Sequence, residues 1–257
     1  MPLIEIRSLG HRYARRGPWV LHDVELTLPE GALVRVVGRN GAGKSTLLRL
    51  LTGTTAPARG SIAGIPEAVG YAPERFPRGQ PFTVRAYLRH MARLRGLRRG
   101  PAKEAAAAVT ERLAMTELLR TPLRELSKGA AHKVGLAQAF LAPSGLLVLD
   151  EPFSGLDDQA RTAVTAMIRE AARDDAAVVF SAHGPTPGLA DVPRWLVADG
   201  AVRAIAPDEP AGEAESEAEA DDDPPPIRIE LTVPEDEAER VERSLRARGY
   251  EPRRVAG

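Results

Sequence analysis

The sequence predicts an α/β fold, a mixed sheet with flanking helices, and three features of its 257 residues support that reading. Short apolar runs bounded by turn residues recur, helical periodicities separate several of them, and one glycine-rich turn lies between an apolar run and a helix. In chain order the runs are LIEI near the start, VELTL, LVRVVG, AVGYA, LLVLD, AVVFSA and RWLVADGAVRAIA. Runs so short, rich in Val, Leu and Ile and framed by Gly, Pro or Asp, suit buried strands. From Thr83 to Leu97 the period is helical, with Val84, Tyr87, Leu88, Met91 and Leu94 on one face and Arg on the other. Gly96, Gly100 and Pro101 mark its exit, and an Ala-rich helix follows over about Ala102 to Leu119. These helices interrupt the strand alternation, which predicts a helical subdomain at about 75–142.

Composition sets the outer limits. A hydrophobic content of 43% is ordinary for a chain that buries a core. Cys is absent, which excludes a disulfide framework and a Cys-based metal site. MPLIEIRSLG lacks a basic region followed by an apolar run, and there is no apolar stretch of about 18 residues, so neither a secretory signal nor a membrane span is expected. The net charge of zero hides an asymmetry: Pro207 to Gly257 holds 16 acids against 7 Arg, which leaves 28 basic and 19 acidic residues before it. Only 4 of the 35 basic residues are Lys; with Ala abundant throughout, the Arg excess reads as a coding habit, and no nucleic-acid partner is expected.

These shifts divide the chain into a main domain over 1–206, an acidic disordered linker over 207–226 and a small C-terminal α/β extension over 227–257. The linker, containing DEPAGEAESEAEADDDPPP, has too little apolar surface to offset the entropy of ordering. In the extension Ile227, Ile229, Leu231 and Val233 alternate with polar residues, and an acidic helix start at Pro234 precedes Gly249 and EPRRV, a βαβ-like order. About 30 residues bury too little surface to stand alone, so this piece must dock or pair.

The strongest local signal is GRNGAGKST, comprising Gly38, Arg39, Asn40, Gly41, Ala42, Gly43, Lys44, Ser45 and Thr46. It fits G-x-x-x-x-G-K-[ST] between an apolar run and a helical LLRLL, the context of a phosphate loop, and makes the fold P-loop NTPase-like. Glycines let successive N–H groups face an anion, the following helix aims its positive end there, Lys44 reaches the outer phosphates and Ser45 would hold Mg²⁺. LLVLDEP ends a buried strand in Asp150 and Glu151. Standing alone such acids would be a solvated strand end; downstream of a phosphate loop, Asp150 would enter the Mg²⁺ shell and Glu151 would polarise the attacking water. His183 follows AVVFSA and projects at the same sheet edge, where it could meet a γ-phosphate. Alone, a His there serves structure more often than chemistry; its place after the acid pair reverses that.

In LSKGAAHKV, Ser127 stands where a helix N-cap belongs. The order GRNGAGKST, LSKG, LLVLDEP, SGLD (Ser154 to Asp157) and SAHG resembles the nucleotide-binding subunit of ATP-binding cassette (ABC) transporters, over about Leu3 to Ala206. That resemblance implies a head-to-tail dimer, with a second copy or a closely related ATPase subunit, around two Mg-ATP. It also implies that Ser127 and Gly129 contact the γ-phosphate held by the partner. Tyr13 matches the aromatic that stacks on adenine, beside the plainer reading of a core tyrosine, and Asp157 matches the loop that communicates between the two sites. Glu74 stands where the family usually has a Gln that binds Mg²⁺ and senses the membrane partner. Lys128 and Ala130 replace Gly and Gln of the usual LSGGQ, and Lys128 looks like members with a separate membrane-spanning permease chain, often exporters.

The function implied is an ATP-hydrolysing motor, peripheral on the cytoplasmic face of the membrane and driving a permease. PERFPRGQPFTVRAYLRHMARLRGLRRG is the expected docking segment, with the Arg residues of Arg95 to Arg99 near anionic headgroups. Two alternatives stand beside it. A soluble cassette ATPase of translation or DNA repair typically has two cassettes or a coiled-coil insertion, neither of which is present; a regulator would bind ATP with little hydrolysis.

Overall fold

Residues 2–184, 186, 188–207 and 209 are described by the structure, a computed structural model. The chain forms two units, Met1–Asp222 and Asp223–Gly257. The second unit, the extension expected over 227–257 and all of the acidic linker except Pro207 and Glu209 lie outside the described residues.

Residue alternation builds the first sheet. In β1 (Pro2–His11) the side chains of Ile4, Ile6 and Leu9 are buried, and in β2 (Leu21–Pro29) those of Leu21, Val24, Leu26 and Leu28 are, so each strand has one wet face. The two pair antiparallel, Ile6 opposite Leu26, and β4 (Arg59–Ala63) adds to the free edge of β1 with Ile62 opposite Ile6. The second sheet has the order β5-β6-β7-β3-β8-β9, from β3 (Leu33–Val37), β5 (Val69–Ala72), β6 (Leu146–Leu149), β7 (Ala177–Ser181), β8 (Arg194–Ala198) and β9 (Ala201–Ile205). The first five are mutually parallel and β9 is antiparallel. The expected mixed sheet is therefore this six-stranded one, accompanied by a separate three-stranded sheet. Strands covered on both faces read as unbroken apolar runs, and those with one wet face alternate.

RWLVADGAVRAIA is a hairpin rather than one strand. Asp199 and Gly200 both take positive φ, 49° and 76°, the type I′ turn that an Asp-Gly pair favours. This turn reaches the other sheet: the His22 N–H donates to Gly200 O at 2.8 Å, and His22 Nε2 lies 3.0 Å from Asp199 O.

The six-stranded sheet separates two apolar cores. Leu146 and Val148 of β6 face α1 (Lys44–Leu51) and the three-stranded sheet, whereas Leu147 and Leu149 face the side of α5 (Asp158–Arg173) and the helices inserted between β5 and β6. Those are α2 (Val84–Leu94), α3 (Arg99–Arg112) and α4 (Lys128–Ala139). Thr83 caps α2, its hydroxyl accepting from Ala86 N–H at 3.3 Å. Val84, Tyr87 and Leu88 are buried as their period predicts, but Leu94 is 68% exposed, because the helix ends there and Ala92 takes the buried place. The helix expected over Ala102 to Leu119 is α3 followed by a 3₁₀ turn, Thr116–Arg120. Between them Ala114 adopts φ 51°, which turns both Leu113 and Met115 inward.

Arg95 is not a headgroup-facing residue. Its guanidinium donates to Gln138 O at 3.3 Å, Ala139 O at 2.8 Å and Ser144 Oγ, tying the end of α2 to the end of α4, and burial lowers its pKa. Arg98 and Arg99 are exposed. The change Arg95→Ala leaves those acceptors unpaired, and it is expected to cost about 2–3 kcal/mol of stability, seen as a lower urea midpoint with an unchanged slope.

Candidate nucleotide-binding and hydrolysis site

The phosphate loop begins where β3 ends. Gly38 has φ 148°, and a Cβ there would lie 2.3 Å from Val197 O, so only glycine lets the chain leave β3 beside β8. Gly43, φ 113°, occupies the N-cap of α1 with no side-chain cap, leaving the first N–H groups of the helix open to an anion. Lys44 is 7% exposed and turns back into the loop, Nζ donating to Gly38 O at 2.7 Å and Arg39 O at 3.1 Å. Burial pushes its pKa down, against the carboxylates of Glu151, Asp150 and Glu74, which draw it up. On the rim Arg39, Asn40 and Gly41 are exposed. Beside them a cleft of about 610 Å³ is lined by Trp19, Val20, residues 39–42 and residues 197–200.

The parallel pairing of β6 with β7, Leu149 opposite Phe180, delivers the acid pair and His183 to one sheet edge. Asp150 is 2% exposed; Oδ1 accepts from Ser45 Oγ at 3.2 Å and Ser181 Oγ at 2.9 Å, and Oδ2 is buried without a partner. Ser181 Oγ also accepts the Glu151 N–H at 2.8 Å, holding the turn in which Glu151 takes φ 53°. Glu151 Oε2 accepts from the His183 N–H at 3.2 Å, and His183 Nε2 approaches Oε1 to 3.2 Å without forming a hydrogen bond. Burial raises the Glu151 pKa to about 7, against the opposing pull of Lys44, and raises that of Asp150. A carboxyl that titrates near neutrality is suited to accept a proton from water.

Two of the three residues expected to hold Mg²⁺, Ser45 and Asp150, lie together and have the chemistry for such an ion. Ser45 Oγ and Asp150 are hard oxygen donors in contact, and the orphaned Asp150 Oδ2 lacks only a cation or a proton. The Glu74 side chain is half exposed, with Arg75 Nε 3.8 Å from Oε1. Among the described residues no group of three or more His, Cys, Asp or Glu is arranged to hold a metal ion. The ion's shell would therefore need the Ser45 hydroxyl and oxygens of the substrate.

Of the remaining expected residues, Tyr13 touches the phosphate-loop segment through Thr46 and the others lie elsewhere. Tyr13 is 64% exposed rather than in the core, its hydroxyl 2.9 Å from Thr46 Oγ1. Ser127 caps α4, accepting from Ala130 N–H at 3.2 Å, and Gly129 lies against the SGLD loop, where a Cβ would be 3.3 Å from Gly155 O. Asp157 caps α5 through Ala160 N–H at 2.8 Å and pairs with Lys133 Nζ at 2.8 Å. No hydrogen bond among the described residues joins Ser127, Gly129 or Asp157 to the phosphate loop of the same chain.

Three residues of the site region escaped the sequence reading. Ser181 is the lone hydroxyl at the end of AVVFSA. Arg35, an ion inside the apolar run LVRVV, donates to Ala182 O at 3.3 Å and Gly184 O at 2.9 Å and so braces the loop bearing His183. His132 is buried behind the acid loop.

The raised pKa of Glu151 predicts a pH effect on the protein free of nucleotide and magnesium. From pH 4.5 to about 7 the folded carboxyl keeps a proton that the unfolded one has released, so stability falls as pH rises through that window and then levels. The full shift corresponds to about 3 kcal/mol. Thermal melts at pH 5 and pH 8 are expected to show Glu151→Gln gaining on the wild type at the higher pH, and parallel changes in both proteins would refute it.

A glycine-rich loop between a parallel strand and a helix, facing an acidic strand end, defines a phosphate-loop nucleotidase. The sequence profile of the family described as ABC transporter matches residues 21–154, from β2 through the acid pair. The cytochrome c biogenesis ATP-binding export protein CcmA of Cupriavidus pinatubonensis is 32% identical over 202 residues, 74% of this chain and 88% of that protein. The zinc import ATP-binding protein ZnuC of Alkalilimnicola ehrlichii is 39% identical over 173 residues, 65% of this chain and 62% of that protein. A solved ATP-binding subunit of an ABC transporter superposes with a TM-score of 0.71 at 27% identity, covering 79% of this chain and 89% of that one. A dimeric ATP-binding cassette in a post-hydrolysis state with ADP and Pi matches with a TM-score of 0.69 at 14% identity, over 80% of this chain and 99% of that one, and shares the fold. The chain belongs to the ABC transporter family, as an ATP-binding subunit and an ATPase.

Proposed function

We propose that this chain is the motor subunit of an exporter: two copies, or one copy and a closely related chain, close head to tail around two ATP molecules and drive separate membrane-spanning subunits from the cytoplasmic face. One observation supports the shared sites above all. Ser127 and Lys128 are exposed at the start of α4 and engage nothing in their own phosphate loop, while the rim of that loop at Arg39 to Gly41 is itself exposed. Each half of the pocket is thus presented outward, ready for a second chain.

In each half site the loop N–H groups and Lys44 receive the β- and γ-phosphates, and Tyr13 offers its ring to the base. Ser45, Asp150 and Glu74 would hold Mg²⁺, which supplies charge neutralisation on the phosphate oxygens. Glu151 takes the proton of the attacking water, Ser181 holds the turn that aims it, and His183 meets the γ-phosphate. Ser127 and Gly129 of the opposite chain close the pocket with a hydroxyl and backbone N–H groups. Among the described residues no helix is long and apolar enough to cross a membrane, and this reading assigns the membrane spans to partner chains. The exporter reading draws on Lys128 and on the resemblance to an export protein; a likeness to an import protein stands beside it.

The absence of Cys makes a direct test simple. One chain carries Asn40→Cys, another Ser127→Cys, and a short bismaleimide is added. Covalent dimer is expected only in the mixture and only with ATP; dimer from either variant alone, or none from the mixture, would overturn the head-to-tail arrangement.

A further inference from the structure

α4 carries a second attachment that the mechanism above does not use. One turn beyond Ser127, His132 is buried, 7% exposed, and its Nε2 lies 3.3 Å from Pro152 O, the carbonyl immediately after Glu151. The backbone at Glu74 and Glu151 also acts electrostatically on the ring, so the one imidazole of α4 bonds the acid turn and lies near the segment after β5. Two neighbours reinforce the link. Lys133 pairs with Asp157 across 2.8 Å, and Gly129 lies close enough to Gly155 that a Cβ would crowd its carbonyl. A neutral imidazole satisfies this position only with Nε2 as the donor, which fixes the tautomer.

We propose that His132 is a positioning residue, which ties the first turns of α4 to the Glu151 turn so that a shift of that turn in one site moves the Ser127 segment serving the other. The coupling of the two sites rests on the head-to-tail reading; the anchoring of Glu151 does not. In mechanical terms, the imidazole is a strut between the proton acceptor of one pocket and the lid of its neighbour. An aliphatic side chain would fill the space equally well but would leave Pro152 O without its donor and the turn free to drift. A small displacement of a reacting group is enough to lower the rate steeply.

The test separates the donor from the volume. His132→Gln keeps an N–H that can reach Pro152 O, and His132→Met keeps the bulk and removes the donor. With the full chain, His132→Gln is expected to hold kcat for ATP hydrolysis within about threefold of wild type, and His132→Met to lose about tenfold or more with KM changed less than about twofold. Without nucleotide, amide exchange at Ser154 and Leu156, whose N–H groups close the turns after Glu151, is expected to be faster in the Met variant than in the Gln variant. If the Met variant does not fold, His132→Asn, whose amide is too short to span the gap, takes its place. Equal kcat in both variants, a KM that rises as kcat falls, or equal exchange overturns the proposal. Placed in a Glu151→Gln background, the variants also separate the two claims. An ATP-dependent dimer with Glu151→Gln alone but equal kcat in the His132 variants rejects the strut; no such dimer in any background rejects the head-to-tail reading.

Discussion

Glu151→Gln is expected to abolish phosphate release and to leave an ATP-bound dimer that persists through size-exclusion chromatography. The substitution is conservative in shape, since the amide oxygen can still accept the His183 N–H that now bonds Oε2 at 3.2 Å, and the turn is held independently by Ser181 through the Glu151 backbone. What disappears is a proton acceptor that titrates near pH 7. General-base catalysis of this kind is worth about 10²–10⁴-fold in rate, so turnover should fall by that factor while ATP still binds. Phosphate release in a single-turnover assay measures it. Unchanged release would remove Glu151 from the chemistry and pass the proton to another acceptor.

Lys44→Ala is expected to act earlier, on binding. The ammonium is almost wholly buried and satisfied by two loop carbonyls, in a site that also contains Asp150, Glu151 and Glu74. Without it, the carboxyl groups of Glu151, Asp150 and Glu74 lose the ammonium that offsets them, and the Glu151 carboxyl loses the charge that opposes its raised pKa. Affinity for a fluorescent ATP analogue should drop by about 10²-fold or more, by analogy with the loss of a preorganised group that neutralises oxyanion charge. The nucleotide-free protein should melt within a few degrees of the wild type, because burying an ammonium is itself unfavourable. Retention of full affinity would mean that Lys44 serves only to shape the loop it now bonds.

The parts of this molecule that were legible in its sequence are those where chemistry restricts the residue type. Gly38 can only be glycine beside Val197 O, Asp150 and Glu151 end a strand that is otherwise entirely apolar, and the register of β6 on β7 then brings His183 to them. What was missed depends on which neighbour a common residue meets. β4 exposes most of its side chains and pairs through its backbone, so RGSIA has no alternation to read. Arg95 resembles its exposed neighbours Arg98 and Arg99 and is distinguished only by three acceptors brought from α4 and the segment after it. The sequence placed Leu94 on the apolar face because the helical period does not say where a helix stops. His132 and Ser181 look like incidental polar residues until the fold brings Pro152 and Asp150 beside them.

The Asp199-Gly200 turn clips the two sheets together through His22, by a backbone bond and a side-chain contact at once. Because β1 pairs with β2 and β3 with β8, this clip ties the strand leading to Tyr13 to the strand leading to Gly38, so the ring proposed to meet a base is anchored to the sheet that carries the phosphate loop.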